Sequence, residues 1–218
     1  MLIVSLVFGD DLVDTKQKIL DAAHKLFHKF GIRSVTMDDV ARDLGISKKT
    51  IYQFFQDKDE IVTLGTRMHI EREIREFEQL ASSSKDSLDE LFKVSQMLRK
   101  NLTGLNPSLL FDMQKYHSKS WDLWLDYKNN FIKNFIVKTI DRGKIEGHFR
   151  ADIDAEILAR FRVEQVEMTF DDNIFPHDQF NFIDVQMALF DHFVHGLLTV
   201  KGQELYDSLT NSKSYEKD

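Results

Sequence analysis

The sequence predicts an all-α protein, with an N-terminal three-helix domain joined by a long helix to a larger helical domain. Three observations carry that expectation. Only two prolines and nine glycines interrupt 218 residues, too few for the frequent turns of a β architecture. Apolar residues recur at three- and four-residue spacing along most of the chain, the period of a helix with one buried stripe. Between residues 31 and 47, glycines and hydroxyl side chains stand where two short helices need their ends.

Residues 1–14 precede the first periodic segment and are expected to form a disordered extension. Their apolar start, Met1 to Phe8, lacks a basic flank and a small-residue cleavage pattern, so it does not read as a signal peptide. It is also far too short to span a bilayer, and no later apolar run reaches that length, so no membrane partner is expected. The first helix follows Asp14 or Thr15 and buries Ile19, Ala22, Ala23, Leu26, Phe27 and Phe30; Gly31 ends it. Thr36 caps a short second helix through Val40, Ala41 and Leu44, with Asp38 and Asp39 favourable in its first turn, and Gly45 stops it. Ser47 caps a third helix over 48–55. A long helix starts at Asp57 or Lys58 and carries Ile61, Leu64, Met68, Ile74, Phe77 and Leu80 on its apolar positions. The serine-rich stretch 82–85 is the clearest linker. Further helices are expected near 86–102, 107–116, 120–142, 153–170 and 180–200, with a polar tail from 203. The domains therefore read as 15–62, a connecting helix 63–81, and 82–202.

Residues 36–55 have the make-up of a helix-turn-helix. Two short helices crossing steeply need a tight turn, which Gly45 permits through its left-handed backbone, and a small residue at the crossing, which Ala41 supplies. Val40, Leu44, Ile46, Ile51 and Phe55 then form a miniature core under the first helix. Ser47, Lys48, Lys49, Thr50 and Gln53, with Tyr52 beside them, are left on the outer face of the third helix. A helix of this kind enters a major groove and reads base edges with its N-terminal residues. Lys48 or Lys49 suits guanine, Gln53 suits adenine, and Thr50 suits a thymine methyl or a phosphate. Thr36, Tyr52 and Lys58 are placed to hold the phosphate backbone and fix register. Paired lysines alone are equally a solvated helix face; the arrangement around them favours double-stranded DNA as partner.

Charge does not decide the matter alone. The chain carries a net −7, but residues 15–65 hold nine Lys/Arg against seven Asp/Glu, leaving a mildly basic head on an acidic remainder. Cysteine is absent, which excludes disulfides, thiolate metal sites and a cysteine nucleophile and suits a cytoplasmic protein. No nucleophile–base constellation, glycine-rich phosphate loop or HExxH pattern occurs, so neither an enzyme nor a cofactor is expected.

Residues 19–61 resemble the DNA-binding domain of the TetR family of bacterial regulators. The run Ile19-Leu-Asp-Ala-Ala-His-Lys-Leu-Phe-His-Lys-Phe-Gly31 is similar to its first helix. Ser34-Val-Thr-Met-Asp-Asp-Val-Ala-Arg-Asp-Leu-Gly-Ile-Ser-Lys-Lys-Thr-Ile-Tyr-Gln-Phe-Phe55 is similar to its helix-turn-helix, and Asp57-Lys-Asp-Glu-Ile61 to the entry of its fourth helix. The resemblance implies DNA contacts at Thr36, Lys48, Thr50, Tyr52 and Lys58. Gln53 and Phe54 depart from the His or Tyr of many members, so base preference does not carry over. Beyond about residue 80 only the all-helical plan is shared.

The resemblance further implies that the larger domain forms a homodimer through its last two long helices. The wide apolar stripe of the last helix, including Leu189, Phe193, Gly196 and Leu197, and Phe161 on the helix before it, are the candidate interface residues. Such a helix buried inside one subunit has the same appearance. Phe111, Tyr116, Trp121, Trp124, Tyr127 and Phe131 are the candidate lining of a pocket for a small apolar or aromatic effector, or simply core. His177, His192 and His195, with Glu164 and Glu167, were a zinc set only if the fold gathered them, and no metal is expected. The expectation is a homodimeric repressor released from a near-palindromic operator by that effector. The alternative is a DNA-binding dimer with no small-molecule effector, either constitutive or controlled by a protein partner.

Overall fold

A computed structural model describes the backbone of residues 4–212 and the side chains of 14–210. Residues 1–3 and 213–218, parts of the expected N-terminal extension and polar tail, lie outside the described residues. Among the described residues eleven α-helices follow one another: α1 (Val4–Phe30), α2 (Met37–Leu44), α3 (Lys48–Phe54), α4 (Lys58–Ser83), α5 (Ser87–Leu102), α6 (Ser108–Tyr116), α7 (Ser118–Asp126), α8 (Lys133–Ile145), α9 (Ala155–Met168), α10 (Phe182–Leu197) and α11 (Val200–Ser212). A π-helical stretch, Tyr127–Ile132, joins α7 to α8. Among the described residues there is no strand, only an isolated bridge between Phe149 and Leu198.

Two expectations about the ends are corrected. Helix α1 begins at Val4, so most of the stretch expected to be disordered is helical. Residues 203–212 belong to α11, because Tyr206, only 5% exposed, anchors an otherwise polar helix in a core.

The chain divides into two compact units. Of the described residues the first takes in those up to 71 and 104–124, so the segment 104–124 belongs with the reading head and not with the larger domain expected over 82–202. Its core gathers Ile19, Ala23 and Phe27 of α1, Val40 and Ala41 of α2, Ile51 and Phe55 at α3, Ile61 of α4 and Met113 of α6, all buried. Phe30, expected in this core, is instead 46% exposed, with the Lys29 ammonium over its ring. Polar contacts fasten the later segment to the head. The Asn106 amide donates to the His28 carbonyl (2.7 Å), the Arg33 amide to Asp112 Oδ2 (2.9 Å), and His117 Nδ1 lies 2.7 Å from Asp59 Oδ1. Gly31, at φ +80°, allows this approach: a Cβ there would stand 2.6 Å from Ser108 Oγ.

The second unit comprises residues 72–103 and the described residues from 125 onward. Phe77, Leu88, Leu91, Ile140, Phe149, Phe190, Phe193, Val194 and Leu197 form its core. A buried carboxylate at Glu90 accepts from Thr139 Oγ1 and Arg142 Nη1, and Arg142 also donates to Glu146 and the Ser84 carbonyl. Burial raises the Glu90 pKa, while these donors oppose the shift. The loop after α8 passes under Gly143, whose missing Cβ makes room for the Phe149 ring. Backbone bonds from Arg150 to the Leu197 carbonyl and from Thr199 to the His148 carbonyl tie this loop to the α10–α11 junction. Helix α4 is covalently continuous across the division, which falls between Glu71 and Arg72.

Candidate nucleic-acid interface

The reading head is built by its caps. Thr36, in extended conformation, accepts from the Asp39 amide while the Asp39 carboxylate accepts from the Thr36 amide and hydroxyl, a reciprocal capping box. The Thr36 hydroxyl bond is the main cause holding the Asp39 carboxyl below its ordinary range. Gly45, at φ 66°, ends α2 by donating to the Ala41 and Arg42 carbonyls. Ser47 then caps α3, its Oγ accepting from the Thr50 amide at 3.1 Å and lying 2.8 Å from Thr50 Oγ1. Asp57 caps α4 by accepting from the Glu60 amide at 2.8 Å.

With Ile51 fully buried, the opposite side of α3 turns outward. Lys48, Lys49, Tyr52 and Gln53, at spacings of one, four and five, are exposed on that face, with Ser47 at its start. Thr50 is half-buried and engaged with Ser47. Lys48 does not project freely: its Nζ lies 2.8 Å from Asp38 Oδ2, and that bond raises its pKa. Lys49 makes no ion pair among the described residues. Sequence reasoning missed the Asp38 partner; both side chains reach across the turn, which local spacing does not record.

Lys58 is a correction. Its Nζ donates to the carbonyls of Ile32 (2.5 Å) and Val35 (2.6 Å) and sits 5.5 Å from the centre of the Phe27 ring. Burial lowers its pKa, against the pull of Asp112 and Asp39. It therefore laces the α1–α2 connection to the start of α4 and is not presented as a phosphate ligand.

The six candidate lining residues are divided between the two units. Phe111 (51% exposed) and Tyr116 (47%) stand at the surface with Lys115 against both rings. Trp121 and Trp124 pack against the head's core. Tyr127 and Phe131 lie in the second unit, stacked at 5.6 Å, and Phe131 meets Phe77 edge-on. Of the interface candidates, Phe161 is 55% exposed and Gly196 is also at the surface, while Leu189 is half-buried. Phe193 and Leu197 are corrected: they point into the second unit's own core, because a stripe as wide as that of α10 has both an inner and an outer edge. His192 and His195 lie on the surface of α10, His195 against Gln203, while Lys128 draws Glu164 and Glu167 together. No group of three or more potential metal ligands occurs among the described residues.

A capped helix pair with a polar outer face on the second helix defines a helix-turn-helix DNA-binding protein. Residues 19–63 match the family model described as "Bacterial regulatory proteins, tetR family". The HTH-type transcriptional regulator YvaF of Bacillus subtilis is 29% identical over 189 residues, covering 83% of this chain and 94% of the relative. Among solved structures, a TetR-family regulator from Agrobacterium tumefaciens superposes with a TM-score of 0.72 at 14% identity, over 86% of this chain and all of that one. A transcriptional regulator from Saccharomonospora viridis in complex with choline gives 0.71 at 20% identity, over 86% of this chain and 99% of that one. The protein is a transcription regulator and not an enzyme. Its residues 19–63 match the TetR-type DNA-binding domain, and its fold is similar to that of TetR-family regulators.

Proposed function

We propose that this regulator is a homodimeric repressor, working in the cytoplasm, that leaves a near-palindromic operator when a small apolar or aromatic molecule binds its second unit. The observation that carries the DNA half of the reading is the outward face of α3, where Lys48, Lys49, Tyr52 and Gln53 share one side of a helix capped by Ser47. Thr36 and Tyr52 would hold the sugar-phosphate backbone, and Lys49 and Gln53 would reach base edges. Lys48 would join them by exchanging Asp38 for a guanine or a phosphate.

Support for the dimer comes from α9, where Ile157 (64% exposed) and Phe161 lie one turn apart on the outer surface. Ala188 and Gly196 on the exposed side of α10 would let a second copy approach closely. The effector's influence would pass along α4, the helix both units share, and must favour one arrangement of the heads by differential affinity.

The test is selection of binding sites from a random double-stranded DNA pool by the purified protein. Two inverted half-sites should emerge, their centres about one helical turn, or a multiple of it, apart (roughly 10–10.5 base pairs per turn). Recovery of no enriched sequence, or of a single unpaired half-site, would overturn the dimeric-operator reading.

A further inference from the structure

Helix α9 carries a charge that the interior of the second unit does not answer. Arg162 is 3% exposed, yet it forms no ion pair among the described residues, and its Nη1 has no hydrogen-bond partner there. Its guanidinium lies 5.3 Å from the ring centre of Phe190 and 5.9 Å from that of Phe193, both on α10. Burial is the sole cause that lowers its pKa, to about 10, so it remains a cation at neutral pH. One turn further along α9, Gln165 is 5% exposed, and its Oε1 also has no partner among the described residues.

The deficiency is local. Other buried polar groups of the same unit are matched: Glu90 by Thr139 and Arg142, Lys128 by Glu164 and Glu167, and Gln186 by the Val166 carbonyl and Thr169. A buried cation without a counter-ion is strongly unfavourable, and two aromatic faces return only part of what hydration gave. Adjacent positions therefore offer an unused donor on a positive charge and an unused acceptor, walled by phenylalanine. An amine or other cation would be repelled here; a planar carboxylate fits the guanidinium.

We propose that Arg162 and Gln165 are the polar end of an effector site, and that the effector is a small organic carboxylate with a hydroxyl or amide N–H close to its acid group. The carboxylate accepts from Arg162 Nη1, and the neighbouring donor serves Gln165 Oε1. This rests on the reading of the second unit as effector-binding, and it specifies the chemistry of what is bound.

The test uses the full-length protein in thermal-shift and calorimetric titrations. The probes are straight-chain acids from hexanoate to decanoate, their 3-hydroxy forms, phenylacetate and N-acetyl-phenylalanine, each beside its methyl ester, with inorganic phosphate as a bare anion. At least one acid should bind about 10–100-fold more tightly than its ester, the range expected for a charge-assisted hydrogen bond in a shielded site. Arg162→Met should abolish that preference, and Gln165→Leu should remove the advantage of the hydroxy or acylamino form. Arg162→Lys retains the charge and should keep part of the acid preference, which covers the case in which Arg162→Met does not fold. Equal binding of acids and esters, an acid preference surviving in Arg162→Met, phosphate binding as well as any acid, or no binding at all would each overturn the assignment. Esters that bind and release operator DNA as well as their acids would sink this inference alone, leaving the apolar-effector reading intact. Operator binding unmoved by every compound, together with an Arg162→Met protein more heat-stable than the parent, would remove both and make the arginine structural.

Discussion

Replacing Lys58 with Met separates two accounts of one lysine. In the structure its ammonium ties down the carbonyls of Ile32 and Val35, so the substitution keeps the side-chain length and removes both bonds. A hydrogen bond from a charged donor contributes roughly 1.5–3 kcal/mol when shielded from water. Lys58 is only half-buried, so the two bonds together are worth about 2 kcal/mol. For a chain of this length that corresponds to a fall in Tm of about 4–8 °C. Operator affinity should drop through this loosening, while the dependence of log K on log salt keeps its slope, since no phosphate contact is lost. Thermal melts and anisotropy titrations at several salt concentrations give both quantities. The opposite pair of results, an unchanged Tm with a slope shallower by about 0.9 per protomer, would refute the tether and restore the lysine to the phosphates.

Other perturbations follow from the same contacts. Ser47→Ala removes the acceptor of the Thr50 amide and should lower stability by about 1 kcal/mol, whereas Ser47→Asp keeps the cap and should hold Tm while weakening operator binding by charge repulsion. Phe161→Asp should yield a folded monomer in sedimentation, because the ring is at the surface, while Phe193→Asp should fail to fold. Burial pushes the Glu73 carboxyl up to about 7, against hydrogen bonds from Tyr127 and Asn101, so the folded state holds this proton more firmly than the unfolded chain. Its contribution to stability is thus fully present below about pH 4.5 and is lost as pH rises through about 7; Glu73→Gln should flatten that decline and be about 3 kcal/mol more stable than the parent at pH 8 in denaturant titrations. Gly143→Ala drives a methyl to within 2.0 Å of the Phe149 ring, where overpacking of about 3 kcal/mol is expected from urea midpoints.

The helix-turn-helix was legible because its determinants are local: caps, a left-handed glycine and apolar spacing all lie within about twenty residues of one another. Helices α5, α6, α9 and α10 were equally readable from periodicity. What escaped is long-range. Nothing near Asp112 signals that its carboxylate receives the Arg33 amide 79 residues away, so segment 104–124 could not be assigned to the head. Periodicity shows that α10 is apolar on a wide arc but not which edge faces inward, and so Phe193 and Leu197 were grouped with Phe161. Lys58 lies where the family's pattern places a phosphate contact; only the fold brings two carbonyls to its ammonium. Arg162 gave no sequence signal, since a single arginine on a helix reads as a surface charge until its burial is known.

The π-helical stretch has a bearing on descent. Tyr127 and Lys128 are neighbours in the chain, yet both are buried, Tyr127 donating to Glu73 and Lys128 bonded to Glu164 and Glu167. A π turn winds more slowly than a regular helix and so brings these neighbouring side chains nearer to one face, at the cost of one extra residue. Losing that residue by a single-codon deletion would restore an ordinary helix and rotate everything after it relative to Tyr127. Relatives without the turn should therefore align with this protein on either side of it, one codon out of step across it.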